Sequence, residues 1–322
     1  MNKTKTPALF DRHIHGGYGV DFNNCSSDDV EKLCSILPKH GLGAICPTVM
    51  TDDKEQITDQ IDIISKARKK LKKGDTQIFG IHLEGPFINP QKKGIHPEDK
   101  ILKPTVKNFQ KIVPPSLESE IKIVTLAPEL DENLELTKYL KSKNIAVSAG
   151  HTMSKGDELD EIEEVTHFFN AMPALHHRNL NITSKSLINN NIFLEVIADN
   201  FHIAPEMLNM ILKVKSKEKI IFISDALSAA YSNQEKIIFA GEEIYIKDNT
   251  ARDKEGTIAG ATKYLDEIIR LNTKTGLISF DEGIQFCSQN VYKSLGADMP
   301  ESYIEWDEDC FVTSAHINSL NL

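Results

Sequence analysis

Cysteine is scarce in this chain and carries no pairing pattern: Cys25, Cys34, Cys46, Cys287 and Cys310 are odd in number, and none stands in a CxxC spacing. A disulfide framework and a cysteine-based zinc site are therefore excluded as organising features, and reduced thiols in the cytoplasm are the expectation. Long apolar runs are missing as well. The N-terminus, Met1-Asn2-Lys3-Thr4-Lys5-Thr6-Pro7, leads into only a few apolar residues before Asp11, which predicts neither a signal peptide nor a membrane span. Net positive charge is absent too. A formal net charge of −10 argues against nucleic acid or an anionic membrane as a partner, since both need clustered Lys and Arg in excess. The local basic run Lys69-Lys70-Leu71-Lys72-Lys73 reads as the solvated end of a helix. Neither an internal repeat nor a low-complexity tract is found.

What is present is enough apolar material for a large core: 322 residues with 40% hydrophobic content suit one big domain, or one domain with a small appendage. Five short apolar runs end in residues able to bind a metal or move a proton. They close on His13 and His15, on Glu84 after Ile78-Phe79-Gly80-Ile81-His82-Leu83, on His151, on His167, and on Asp225. Strands of an α/β barrel read as such runs, and the residues just past their C-terminal ends face the barrel mouth.

Read along the chain, strands are predicted near Ala8–Ile14, at 43–50, 77–83, 121–126, 145–149, 164–168, 192–198 and 219–223. Between several of them lie amphipathic helices. Ser26 to Asp29 forms an N-cap cluster ahead of Val30, Leu33, Ile36 and Leu37, and Ile57, Ile61, Ile64 and Ala67 share one face of a helix over 53–73. Further helices are expected at 131–143 and 204–214. Eight strands with crossovers predict a (β/α)8 TIM barrel over 8–296. A doubly wound open sheet is the alternative, but it would not bring strands one, three, five, six and eight to one point. A β-hairpin insertion is expected near 234–250, helices at 262–272 and 280–295, and a strand-like tail over 297–322. The Gly/Pro/Lys-rich segment from Gly85 to about Lys103 is long for a compact domain, which marks it as functional.

Glu84, His13, His15, His151, His167 and Asp225 together offer a nitrogen and oxygen ligand set suited to zinc, iron or manganese. A lone His at a strand end is commonly structural and a lone Asp there is commonly a cap. Six from five strands, all at one end, are hard to explain that way.

The stretches His13-Ile14-His15-Gly16-Gly17, His82-Leu83-Glu84-Gly85-Pro86-Phe87, Gly150-His151-Thr152, Thr166-His167-Phe168-Phe169-Asn170-Ala171-Met172, Ala198-Asp199-Asn200-Phe201-His202 and Ser224-Asp225-Ala226 resemble N-acetylglucosamine-6-phosphate deacetylases of the amidohydrolase superfamily. The match runs in order from about Asp11 to Gly296. The resemblance implies a metal held by Glu84, His151 and His167, and a proton-shuttling carboxylate at Asp225. With His13 and His15 both intact, a second ion bridged through Glu84 is allowed, zinc being the first expectation and iron or manganese the alternatives. His96, in the long loop, is the candidate oxyanion donor.

For the substrate, the resemblance assigns Asn170, the Ala171 backbone, Arg178 and His202 to the sugar phosphate, and Ile95, Ile258, Ala259 and Gly260 to the sugar. It implies a homodimer in which Arg178 reaches the neighbouring subunit's substrate. Departures from the family pattern are Asn200 where Gly is common, Asn-Leu-Asn after Arg178, and a β-sandwich domain expected to be reduced or absent. The function expected is hydrolysis of the acetamide of N-acetylglucosamine 6-phosphate. The alternatives are a related amidohydrolase acting on another acylated amine or cyclic amide, and a sugar-phosphate-binding barrel without turnover.

Overall fold

Apolar strand runs that end in polar residues dictate the architecture of the protein, seen here in a computed structural model that describes residues 3–320. Eight parallel strands follow in order: β1 Leu9–Ile14, β2 Leu42–Met50, β3 Ile81–Glu84, β4 Ile121–Leu126, β5 Ala146–Ala149, β6 Glu164–Val165, β7 Phe193–Val196 and β8 Ile220–Phe222. Each pairs with its sequence neighbour from β1 through to β8. All nine residues of β2 are buried, as a strand covered on both faces must be.

The barrel closes between β8 and β1 without a regular ladder. Asp225 donates its N–H to the His13 carbonyl at 2.9 Å, and Ser224 donates to the Asp11 carboxylate at 3.2 Å. A TIM barrel is thus confirmed over the open sheet.

Helices pack outside with the faces the periodicity assigns. Lys54–Arg68 buries Ile57, Ile61, Ile64 and Ala67, each large aliphatic side chain contributing about 1.5–3 kcal/mol by leaving water. Ser27–Ile36 begins with a reciprocal capping box between Ser26 and Asp29, which satisfies N–H groups that the first helical turn would orphan.

Several boundaries differ from the sequence pattern. The third run breaks into Gln77–Ile78 and Ile81–Glu84, where a Cβ at Gly80 would lie 2.1 Å from the Lys122 side chain. The expected helix over 280–295 divides at Ser288, whose extended φ of −142° separates Phe280–Cys287 from Gln289–Ser294. Helices Val106–Ile112 and Ile182–Ile188 are too short for their periodicity to stand out.

Besides a two-stranded ribbon of Gly16–Gly17 and Val20–Asp21, two larger antiparallel sheets flank the barrel. The hairpin Lys236–Phe239 and Glu242–Lys247 is extended by Thr250–Arg252 and Ile258–Gly260 into a four-stranded sheet. At the other sheet Thr4–Pro7 pairs with Tyr303–Trp306, which pairs with Val312–His316. Trp306 is fully buried there and donates its indole N–H to Thr6 Oγ1 at 2.8 Å.

Candidate active site

The strand ends converge as the spacing predicts, and the backbone shows how. His151, His167 and Asp225, just past β5, β6 and β8, have φ of +47°, +28° and +53°. Non-glycine residues rarely take this left-handed conformation, and it persists only where the surroundings over-determine it. It ends each strand abruptly and turns the side chain into the mouth. For Asp225 the restraint is visible: besides the bond to His13, its carbonyl accepts the Ala261 N–H at 2.8 Å. On β1, irregular pairing between Asp11 and Ile14 accompanies a bond from the Ile14 N–H to Thr48 Oγ1 at 3.0 Å in place of a backbone partner.

Glu84 is the hub. Its Oε1 lies 3.0 Å from His167 Nε2, 3.2 Å from His151 Nε2 and 3.6 Å from His13 Nε2, while Oε2 lies 3.4 Å from His15 Nε2 and 3.7 Å from His96 Nε2. Asp225 Oδ1 sits 3.1 Å from His15 Nε2 and 3.4 Å from His13 Nε2. Burial works to raise the Glu84 carboxyl, yet the facing imidazoles, His13 foremost, hold it well below the usual carboxylate range. Asp225 is likewise lowered against its burial, chiefly by His15 and His13.

This donor set fits a divalent cation. His151 Nδ1 lies 2.8 Å from the Lys92 carbonyl, which can only accept; Nδ1 therefore carries the proton and Nε2 presents a lone pair. That lone pair meets His167 Nε2 at 3.0 Å beside the Glu84 carboxylate, a convergence that a cation relieves. Among the described residues, two groups have donor atoms within 4.8 Å of one another: His13, His15 and Glu84, and Glu84, His96 and His151. His96 is thus not an exposed loop residue but a buried one, with Nδ1 2.7 Å from Thr51 Oγ1. His82, by contrast, bonds Thr125 Oγ1 at 2.7 Å beneath the cluster and is held well below the ordinary imidazole pKa by burial.

Above the cluster opens a cavity of about 470 Å³, within the range of small-ligand sites. Ile95, Asn170, Ala171, His202, Ile258, Ala259 and Gly260 all line it. His202 Nδ1 is tied to Asp199 Oδ2 at 2.8 Å, leaving Nε2 for a ligand. Asn200 has φ +68°, a conformation Asn shares with Gly; this departure from the family pattern is a matter of backbone shape. Arg178 does not enter the cavity. It lies in an exposed turn whose N–H bonds His176 Nδ1 at 3.1 Å.

Among the wall residues the sequence did not reveal are Arg252, Lys92, Gln91, Met50 and Phe239. Arg252 comes from the insertion sheet, with Nη1 2.8 Å from the Gly256 carbonyl. Its one sequence signal is its position six residues before Ile258 on a neighbouring strand.

Fold and site together define a metal-dependent hydrolase of the amidohydrolase type. Comparison with known proteins narrows this. No family model matches the chain. It is 31% identical over 297 residues to N-acetylglucosamine-6-phosphate deacetylase of Bacillus subtilis, covering 90% of this chain and 75% of the relative. It is 29% identical to N-acetylgalactosamine-6-phosphate deacetylase of Escherichia coli O157:H7, covering 91% and 78%. The crystal structure of N-acetylglucosamine-6-phosphate deacetylase from Thermotoga maritima superposes with a TM-score of 0.86 at 28% identity, over 97% of this chain and 86% of that one. The chain belongs to the N-acetylglucosamine-6-phosphate deacetylase family.

Proposed function

We propose that this protein hydrolyses the acetamide of N-acetylglucosamine 6-phosphate to glucosamine 6-phosphate and acetate. The observation that carries the reading is the Asp225 carboxylate, held 3.1 Å from His15 Nε2 on the same cavity as the Glu84 cluster.

Glu84, His151 and His167 are the residues that would hold a divalent ion, zinc foremost, with His13 and His15 available to a second. When bound, such an ion polarises the amide carbonyl and lowers the pKa of water from 15.7 to about 7. Asp225, kept ionised by its imidazole neighbours, takes the proton of the attacking water and returns it to the departing amine. His96 donates toward the oxyanion as charge develops there. Ile95 and the Ile258-Ala259-Gly260 strand line the sugar.

The phosphate is assigned to Arg252 and His202 with Asn170 and the Ala171 N–H, because a planar guanidinium binds phosphate oxygens in pairs. Arg178 is assigned to a partner copy's substrate in a homodimer. Exposed Leu175 and Leu180, at 37% and 56%, flank it and support an interface there. Among the described residues no helix is long and apolar enough to cross a membrane. All five cysteines are free, which supports a cytoplasmic setting. The three-stranded sheet of Thr4–Pro7, Tyr303–Trp306 and Val312–His316 is assigned as the reduced second domain beside the barrel.

The relative acting on N-acetylgalactosamine 6-phosphate makes that epimer the second reading. Initial rates of amine release from the two phosphorylated epimers test the assignment: a higher kcat/KM for the glucosamine form is expected, and the reverse order would replace it with the second reading.

A further inference from the structure

Three charged residues lie inside the barrel where apolar packing is the norm. Arg12 of β1, Glu164 of β6 and Glu195 of β7 have side chains 0%, 3% and 1% exposed. Arg12 Nη1 donates to Glu164 Oε1 at 3.0 Å, Nη2 pairs with Glu164 Oε2, and Nε lies 3.0 Å from Glu195 Oε1. Ser294 Oγ accepts a further bond from Nη1 at 2.5 Å. Buried ions of this kind gain little net stability over an apolar packing of the same volume, because desolvation offsets their attraction. Their arrangement is also unbalanced. Two carboxylates face one guanidinium, and the second carboxylate oxygen of Glu195 points upward to His13 Nδ1 at 3.2 Å. On the far side of that imidazole, Nε2 has no hydrogen-bond partner and faces Glu84 Oε1 at 3.6 Å and Asp225 Oδ1 at 3.4 Å.

We infer that Glu195, ion-paired with Arg12, is the positioning residue for His13. It accepts the Nδ1 proton, fixes the tautomer and ring plane, and leaves the Nε2 lone pair aimed at the cluster. A carboxylate behind a metal-binding imidazole does this generally, and its removal typically costs about 10- to 100-fold in metal affinity. The inference rests on reading the His/Glu cluster as a divalent-cation site. Arg12 acts one step further back. Its fork holds Glu164, while its Nε faces Glu195 Oε1 at 3.0 Å as an ion pair without a hydrogen bond, so that its charge draws Glu195 Oε1 downward and leaves Oε2 for His13.

The test is affinity of the metal-stripped protein for a second equivalent of zinc, the one His13 and His15 would hold, measured by competition with a chelator, for wild type, Glu195→Gln, His13→Ala and the double variant. Glu195→Gln is expected to weaken zinc by at least about tenfold. In the His13→Ala background the same change is expected to have no further effect, because the two residues act through one bond. Equal losses with and without His13 would show that Glu195 acts on general barrel stability, and an unchanged affinity in Glu195→Gln would also overturn the inference. Arg12→Lys, which keeps the buried charge but loses the Nε that faces Glu195, serves should Glu195→Gln not fold; it is expected to weaken zinc in the same direction, and an unchanged affinity counts against the inference. Wild type binding only one equivalent would overturn the inference, and zinc failing to bind wild type at all would instead remove the metal reading itself.

Discussion

The two walls of the cavity are built on opposite principles. The lower wall is strand ends: Glu84, His151, His167, His13, His15 and Asp225 are all buried, several in strained backbone, each locked by a neighbour from another strand. The upper wall is loops and an inserted sheet. Arg252, Asn170 and Ile95 are only partly buried, and Lys254, Glu255 and Gly256 beside them are exposed. A barrel rim supplies the rigidity that chemistry needs, while added segments supply recognition, which tolerates variation. The difference teaches where to test each proposed role: turnover in the lower wall, substrate choice in the upper.

The sharpest break of that division would come from Asp225→Asn. It is expected to lower kcat by about 10²–10⁴-fold with bound metal, counted by elemental analysis, nearly unchanged. Retention of the full rate would remove the proton shuttle from the lower wall.

Next in size is Arg252→Ala. Loss of a charged hydrogen bond is worth about 1.5–3 kcal/mol, so kcat/KM for the phosphorylated sugar is expected to fall through KM, with the unphosphorylated sugar unaffected. Should Arg252→Ala lower kcat at saturation instead, the two walls would not be separable. Arg178→Ala is expected to raise KM for the phosphorylated sugar far more than for the unphosphorylated one. Equal effects on both would show that Arg178 does not read the phosphate.

The smallest effect concerns His202. Burial alone would lower its pKa, but Asp199 holds it above the ordinary imidazole value. A group with a raised folded-state pKa contributes stability that is fully present below about 6.5, its unfolded value, and is lost as pH rises through the folded value. Thermal unfolding of wild type against His202→Asn is therefore expected to diverge as pH falls from 8.5 toward 6. A constant gap would show that the imidazole does not gain a proton on folding.

Legibility in the sequence follows the same division. The barrel was readable because strands buried on both faces leave continuous apolar runs, and because the ligand types His, Glu and Asp close those runs at one end. The family resemblance singled out His202 and Ile258-Ala259-Gly260, the latter as a turn where the structure has a strand. The insertion hid its last two strands because Thr250–Arg252 and Ile258–Gly260 are three residues each, too short for alternation to register, and Arg252 was hidden with them. Thr4–Pro7 gave no signal because its partner, Tyr303–Trp306, lies at the opposite end of the chain. Arg12, Glu164 and Glu195 did leave a trace, being charged residues inside or at the start of strand runs. Which charges they would meet depended on the register between β1, β6 and β7, which no local pattern specifies.

The central claim is that the lower wall is a metal-dependent amide-hydrolysing centre. Its most direct test is acetate release from N-acetylglucosamine 6-phosphate by protein whose metal content has been counted, before and after chelator treatment and after zinc is restored. Release that vanishes with the metal and returns with zinc is the predicted result; no release from folded, metal-loaded protein would contradict it.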